Sequence, residues 1–175
     1  MMSSDELFRL ERDSIGEKQV PKDAYYGVQT LRGKENFHIT GEALHPEMVR
    51  ALAIVKKACA QVNHEAGLMH KHKATASAQA CDDILQGRLP DPSVTDPIQG
   101  GAGTTANMNA NEVIANRANE ILDGELGTYD IVRPNDDVNM GQSTNDVYPT
   151  AGKLGAIYLL RKTLEELELL VHSFA

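Results

Sequence analysis

The spacing of apolar residues changes character near residue 45. From Pro46 onward, Met48, Leu52, Val55, Cys59 and Val62 recur at alternating intervals of four and three, the mark of one helical face. This spacing predicts a helix over about 46–66, closed near Gly67. A second helix is expected over about 71–86, where ATASAQACDDILQ is rich in Ala and Gln and halts at Gly87, Pro90 and Pro92. A third should span about 106–122, following a glycine-rich run, with Met108, Val113, Ile114, Ala118, Ile121 and Leu122 as its apolar positions. The last segment carries Ile157, Leu160, Leu164, Leu167, Val171 and Phe174, a seam sustained over more than two heptads that needs helical partners. Its polar turn is missing at Ala175, so the chain reads as stopping inside a helix; a natural terminal helix docked on its own domain is the alternative. Left exposed, this stripe is expected to drive self-association or to leave residues after about 155 disordered.

The first 43 residues behave differently. Apolar residues are scattered there, and Gly16, Pro21, Gly27, Gly33 and Gly41 punctuate them, so short strands, turns and extended loop are expected. The fold class is therefore mainly α, with short strands or turns near the N-terminus. Composition agrees: there is no Trp, aromatics make up 5%, and the 41% hydrophobic share supplies a core within one domain-sized chain of 175 residues.

Charge and cysteine use narrow the function. A formal net charge of −8 opposes a phosphate backbone, so no nucleic acid partner is expected. No apolar run approaches the roughly 18 residues of a membrane span, and none near the N-terminus resembles a signal peptide, so a cytoplasmic protein with no membrane partner is expected. Cys59 and Cys81 lack CxxC spacing and are both expected to be reduced.

Two segments share one chemical design. Gly100–Asn107 (GGAGTTAN) and Gln142–Asp146 (QSTND, ahead of Pro149) each put hydroxyl and carboxamide residues just before a helix. Helix N-termini present unpaired N–H groups and the positive dipole end, and neighbouring Thr, Ser and Asn add neutral donors. Two such ends, if they converge, would hold a small dianion; ordinary capping is the plainer account of either alone. Neither segment is a P-loop, since no Gly-Lys-Ser/Thr follows.

Other polar clusters offer less. His70 and His72 stand two apart, which on a helix points them away from each other, so a solvated surface and no metal site is expected; His38, His45, His64 and His172 have no matching partners. Asp82–Asp83 and Asp136–Asp137 are expected to be capping or surface groups, and Asp146 to cap the long helix or orient its neighbours.

Three motifs then give the chain a family likeness. GGAGTTANMNANEVIANRA (100–118), PNDDVNMGQSTNDVYPT (134–150) and VPKDAYYGVQT (20–30) with Glu35-Asn-Phe37 closely resemble the aspartase/fumarase superfamily in order and spacing. Tyr26-Gly-Val-Gln-Thr30, Ala102 and Arg133 stand where class II fumarases typically carry Trp-Gly-Ala-Gln-Thr, Ser and His, so the details are similar to the aspartate ammonia-lyase branch. Thr105 and Asp137 depart from that pattern, where Ser and His are common.

The resemblance implies an N-terminal lyase domain over 1–142 and, over 143–175, the start of a central long-helix bundle. It implies a carbon–nitrogen lyase that eliminates ammonia from L-aspartate to give fumarate through an enediolate, with no cofactor and no metal. By position, Thr104, Ser143, Thr144 and Asn145 are its share of the substrate site, the hydroxyls on the reacting carboxylate and the Asn near the amino group. The family's base is a Ser on a mobile Gly-Ser-Ser-x-Met-Pro loop, completed by a Thr-His pair and a Lys. None is in these 175 residues, so no catalytic residue is assigned and the fragment alone is expected to be inactive. The family works as a homotetramer with sites at subunit junctions. A fumarase-like lyase acting on malate, or a non-catalytic carboxylate-binding or assembly domain, are the competing readings.

Overall fold

The computed structural model describes residues 7–174. A hairpin opens it: β1 (Phe8–Arg12) and β2 (Glu17–Pro21) pair antiparallel, Phe8 opposite Pro21 and Arg12 opposite Glu17. Asp13 makes the turn, its carboxylate accepting from the N–H groups of Ile15 and Gly16. Arg9 fastens the following segment by donating to the carbonyls of Pro21, Lys22, Ala24 and Tyr26 at 2.7–3.0 Å.

The next element, α1 (Val28–Asn36), corrects the expectation of only strands, turns and loop before residue 43. Its N-cap, Gly27, offers no side chain, so nothing local announces a helix. The cap comes from 85 residues downstream. The Glu112 carboxylate accepts from the N–H groups of Gly27, Gln29 and Thr30 and from the Thr30 hydroxyl, while Glu11 accepts from Val28.

Four further helices follow: α2 (Pro46–Glu65), α3 (Lys71–Leu85), α4 (Thr104–Ile121) and α5 (Thr144–Phe174). The first two match their expected spans within a residue, because His45 caps α2 before a Pro at its first position and Gly67 and Gly87 end each helix in a left-handed turn. The third starts at Thr104, two residues earlier than expected. The fourth starts before Pro149, which lies in its second turn. Thr104, Thr144 and Asn145 thus sit in first helical turns and not ahead of them.

The face that α2 buries is turned from the predicted stripe. Ala51, Leu52, Ala53, Lys56 and Ala60 are buried, whereas Val62 is 60% exposed. Small residues explain the rotation. Ala53 packs with Ala76, Ala80 and Cys81 of α3 and with Ile114, Ala115 and Ala118 of α4, so the helices approach closely where alanines meet. A second cluster joins Leu44, Ala51 and Leu52 to Ala106, Val147 and Ala151, seating the first half of α5 on α2.

Helix α4 is buried nearly all round, and its asparagines stitch loops onto it. Asn109 bonds Val94 N–H and Pro92 O, Asn116 bonds Tyr25 O and Gly127 N–H, and Asn119 bonds Val132 O and the N–H groups of Ile131 and Val132. Each thereby answers the backbone groups that the connection buries.

The expectation that the adjacent carboxylates cap or lie at the surface is corrected for Asp83, whereas Asp137 caps, though buried. Asp83 is fully buried and accepts from Gln79, Arg88 and Arg117; Asp137 is buried, ion-paired with Lys73 and bonded to Arg133 N–H. Only Asp82 and Asp136 face outward, since neighbouring residues point to different sides. The histidine geometry is corrected too. His70 is the extended N-cap of α3 and not inside it, so its exposed ring stacks on that of His72 at 5.9 Å.

One carboxylate sets the loop beneath the candidate site. Asp96 Oδ2 accepts from the N–H groups of Ile39, Thr40 and Gly41 and from the Thr40 hydroxyl, and Oδ1 accepts from Ile98 N–H, all at 2.6–3.0 Å. Burial pushes this carboxyl up, but the donors outweigh it and hold it far below its ordinary 3.8. A depressed carboxyl contributes stability that is present above its unfolded value and lost as pH falls below it. Hydrogen exchange at residues 39–41 should therefore stay protected at neutral pH and open in acid, whereas Asp96→Asn should leave them open already at neutral pH. Equal protection in both proteins would discard this account.

Among the described residues no helix is long and apolar enough to cross a membrane. Cys59 and Cys81 are unpaired thiols, and burial pushes Cys81 up to about 12, which makes it a poor nucleophile. Beyond Gly155, the last buried residue of α5, the seam of Leu160, Leu164, Leu167 and Val171 is exposed.

Candidate functional site

The two polar segments meet. The first runs through a turn in which Gly101, Ala102 and Gly103 all adopt positive φ, at 65°, 51° and 94°, before α4 begins at Thr104. Left-handed backbone is costly for Ala102 and free for glycine. Gly103 has a second constraint, because any Cβ there would overlap the ring of Tyr148 on α5. That contact is how α4 and α5 bring their N-termini together. Gly100 is similarly pressed on the ring of Phe37, and Gln99 Oε1 accepts from Ala106 N–H at 2.7 Å.

The second segment forms a reciprocal cap. Ser143 Oγ accepts from Asn145 N–H at 3.2 Å while the Asp146 carboxylate accepts from Ser143 N–H at 3.2 Å. This is the capping role expected of Asp146. Between the two helix starts lies an open cleft of about 380 Å³, lined by Pro97, Gln99, Ala102, Gly103, Asn145, Tyr148 and Pro149.

The hydroxyls are set differently. Ser143 Oγ and Thr144 Oγ1 each accept a bond from the protein, from Asn145 N–H and from Asn107 Nδ2 at 3.2 Å, which leaves both hydroxyl protons to donate elsewhere. Thr104 Oγ1 instead donates to Gly101 O at 2.6 Å and must rotate to donate outward. Thr104, Ser143 and Asn145 are exposed and Thr144 is half-buried. Two dipole ends and these neutral groups favour a small anion, and the open cleft leaves room for further groups.

Beneath the site lies a polar layer that the sequence reading missed. Lys56 is 1% exposed, and its Nζ donates to Asn139 Oδ1 and Gln142 Oε1, both at 2.9 Å. Burial pulls this lysine down to about 8. Its signal was its spacing, three after Ala53 and four before Ala60 on the buried face of α2.

The match to known proteins is extensive. Residues 16–175 match a family described as lyase. The aspartate ammonia-lyase of Bacillus sp is 50% identical over 166 residues, covering 95% of this chain and 36% of that protein. The class II fumarate hydratase of Halobacterium salinarum is 53% identical over 150 residues, covering 86% of this chain and 31% of its own length. The crystal structure of a fumarate lyase:delta crystallin from Brucella melitensis superposes with a TM-score of 0.93 at 51% identity, covering 95% of this chain and 37% of that one. The chain thus spans about a third of the length of these relatives, and it belongs to the lyase family of the aspartases and fumarases.

Proposed function

We propose that this chain is the N-terminal part of an aspartate ammonia-lyase, in which the hydroxyls of Thr104, Ser143 and Thr144 bind the reacting carboxylate of the substrate and Asn145 lies near its amino group. The observation that carries this reading is the meeting of the α4 and α5 N-termini at a cleft edged by Asn145 and Gly103. Elimination begins when a base removes a proton from the carbon beside the β-carboxylate. Two negative charges then develop on that carboxylate, and fixed donors aimed at them lower the barrier. Hydroxyls and helix N–H groups suit this task because they are neutral, weakly acidic donors that stabilise the developing charge by hydrogen bonding without giving up their protons. The Asn145 carboxamide beside the amino group would distinguish aspartate from malate.

The domain layout and assembly are those that the family resemblance implies. Residues 1–142 form the lyase domain and 143–175 the start of the helical bundle, whose exposed seam packs against other subunits of a cytoplasmic homotetramer. The base and its partners come from outside this segment. The 53% identity to a fumarate hydratase favours malate as the second substrate to test.

The test is ultraviolet detection of fumarate from L-aspartate and from L-malate, using both the 175-residue chain and a lyase completed to the length of its relatives. Aspartate turnover by the completed protein alone is the expected result. Malate turnover would transfer the reading to fumarase. Turnover of neither substrate, with fumarate still bound, would leave a carboxylate-binding domain.

A further inference from the structure

The buried lysine below the site does more than fill space. An ammonium only donates hydrogen bonds, so Lys56 compels Asn139 and Gln142 to turn their carboxamide oxygens toward it. The Asn139 oxygen also accepts from the Nδ2 groups of Asn107 at 3.1 Å and Asn111 at 3.3 Å. Asn107 Nδ2 reaches on to Thr144 Oγ1 at 3.2 Å. The Oδ1 atoms of Asn107 and Asn111 are buried without a hydrogen-bond partner among the described residues. These two amides are therefore oriented by the Asn139 oxygen and not by satisfaction of their own. A Thr144 hydroxyl that accepts from Asn107 keeps its proton for a bond on the other side.

We propose that Lys56 is a positioning residue, which through Asn139 and Asn107 fixes the Thr144 hydroxyl as a donor toward a carboxylate bound between α4 and α5. The inference rests on Thr144 being a substrate group, as proposed above. It works through donor direction and not through charge. A neutral amine retains two N–H groups, enough for Asn139 and Gln142, so the relay survives loss of the ammonium proton. The groups facing Lys56 are Cys59 of α2, Cys81 of α3 and Asp146 of α5, while α4 and the 139–142 turn present only neutral carboxamides.

The experiment is a double-mutant cycle on kcat/KM for aspartate in the completed lyase. Lys56→Met should lower kcat/KM by about tenfold, the worth of one oriented hydrogen bond. The same change should have no effect in a Thr144→Val background and its full effect in a Thr104→Val background. The penalty should also be equal on either side of pH 8. A Lys56→Met penalty undiminished by Thr144→Val would overturn the relay, and a penalty that vanishes above pH 8 would replace it with a role for charge. Should Lys56→Met fail to assemble, Asn107→Ala cuts the relay one link later and enters the same cycle. A completed lyase that turns over neither aspartate nor malate would bring down the function itself, a result distinct from an active enzyme indifferent to Lys56.

Discussion

Replacing Glu112 by Ala should lower the stability of this domain by about 3–5 kcal/mol, since each buried donor left without a partner costs roughly 1–3 kcal/mol. Four donors converge on that carboxylate: the N–H groups of Gly27, Gln29 and Thr30, and the Thr30 hydroxyl at 2.5 Å. Glu112 is 1% exposed, so water replaces it poorly. Burial pushes the carboxyl up, against the donors that pull it down. Glu112→Gln should cost less, because an amide keeps one oxygen for the three donors shared by Oε2 and loses only the bond from Gln29. Denaturant unfolding should rank wild type above Gln and Gln above Ala, and hydrogen exchange should locate the extra opening in α1. An Ala variant within 1 kcal/mol of wild type would show that the hairpin and α1 are held by packing instead.

The same carboxylate explains what the sequence could not disclose. Helices α2, α3 and α4 were legible because their signals are local: apolar residues at helical intervals, a proline at the start, and glycines at the end. Nothing comparable marks α1. Its N-terminus is answered by residue 112, and Gly27 is needed there because a Cβ would strike the Tyr129 hydroxyl and both carboxylates. A cap supplied from 85 residues away leaves no trace in a local window. The rotated face of α2 has a related cause, since hydrophobicity marks Val55 and Val62 while close approach is decided by Ala53 and Ala60.

The candidate site was legible in its composition but not in its depth. Paired hydroxyl and carboxamide residues at two helix starts stood out in sequence, and the structure puts the two starts side by side through Gly103 and Tyr148. Lys56 did not stand out, because a lysine in a helix is usually solvated and only its neighbours reveal that this one is buried. The direction of the Thr104 hydroxyl, turned to Gly101, was equally beyond a reading of residue types.

The hydroxyl directions lead to a graded expectation for activity. Thr144→Val in the completed lyase should lower kcat by about 10²–10³, the usual loss when one fixed donor is removed from a developing oxyanion. Thr144→Ser should retain most of the rate, because it keeps the group that Asn107 orients. Thr104→Val should be milder on kcat, since its proton is already committed to Gly101 O and rotating it offsets part of what the new bond gives. Asn145→Ala should separate the two ends of the substrate: beside an amino group, its loss should weaken aspartate while leaving fumarate inhibition nearly intact. Steady-state kinetics with aspartate and inhibition by fumarate measure all four. If Thr144→Val merely raised KM at unchanged kcat, its hydroxyl would bind ground state and transition state alike, and the donor facing the enediolate would have to be Ser143, a rotated Thr104 or a group outside these two helix starts.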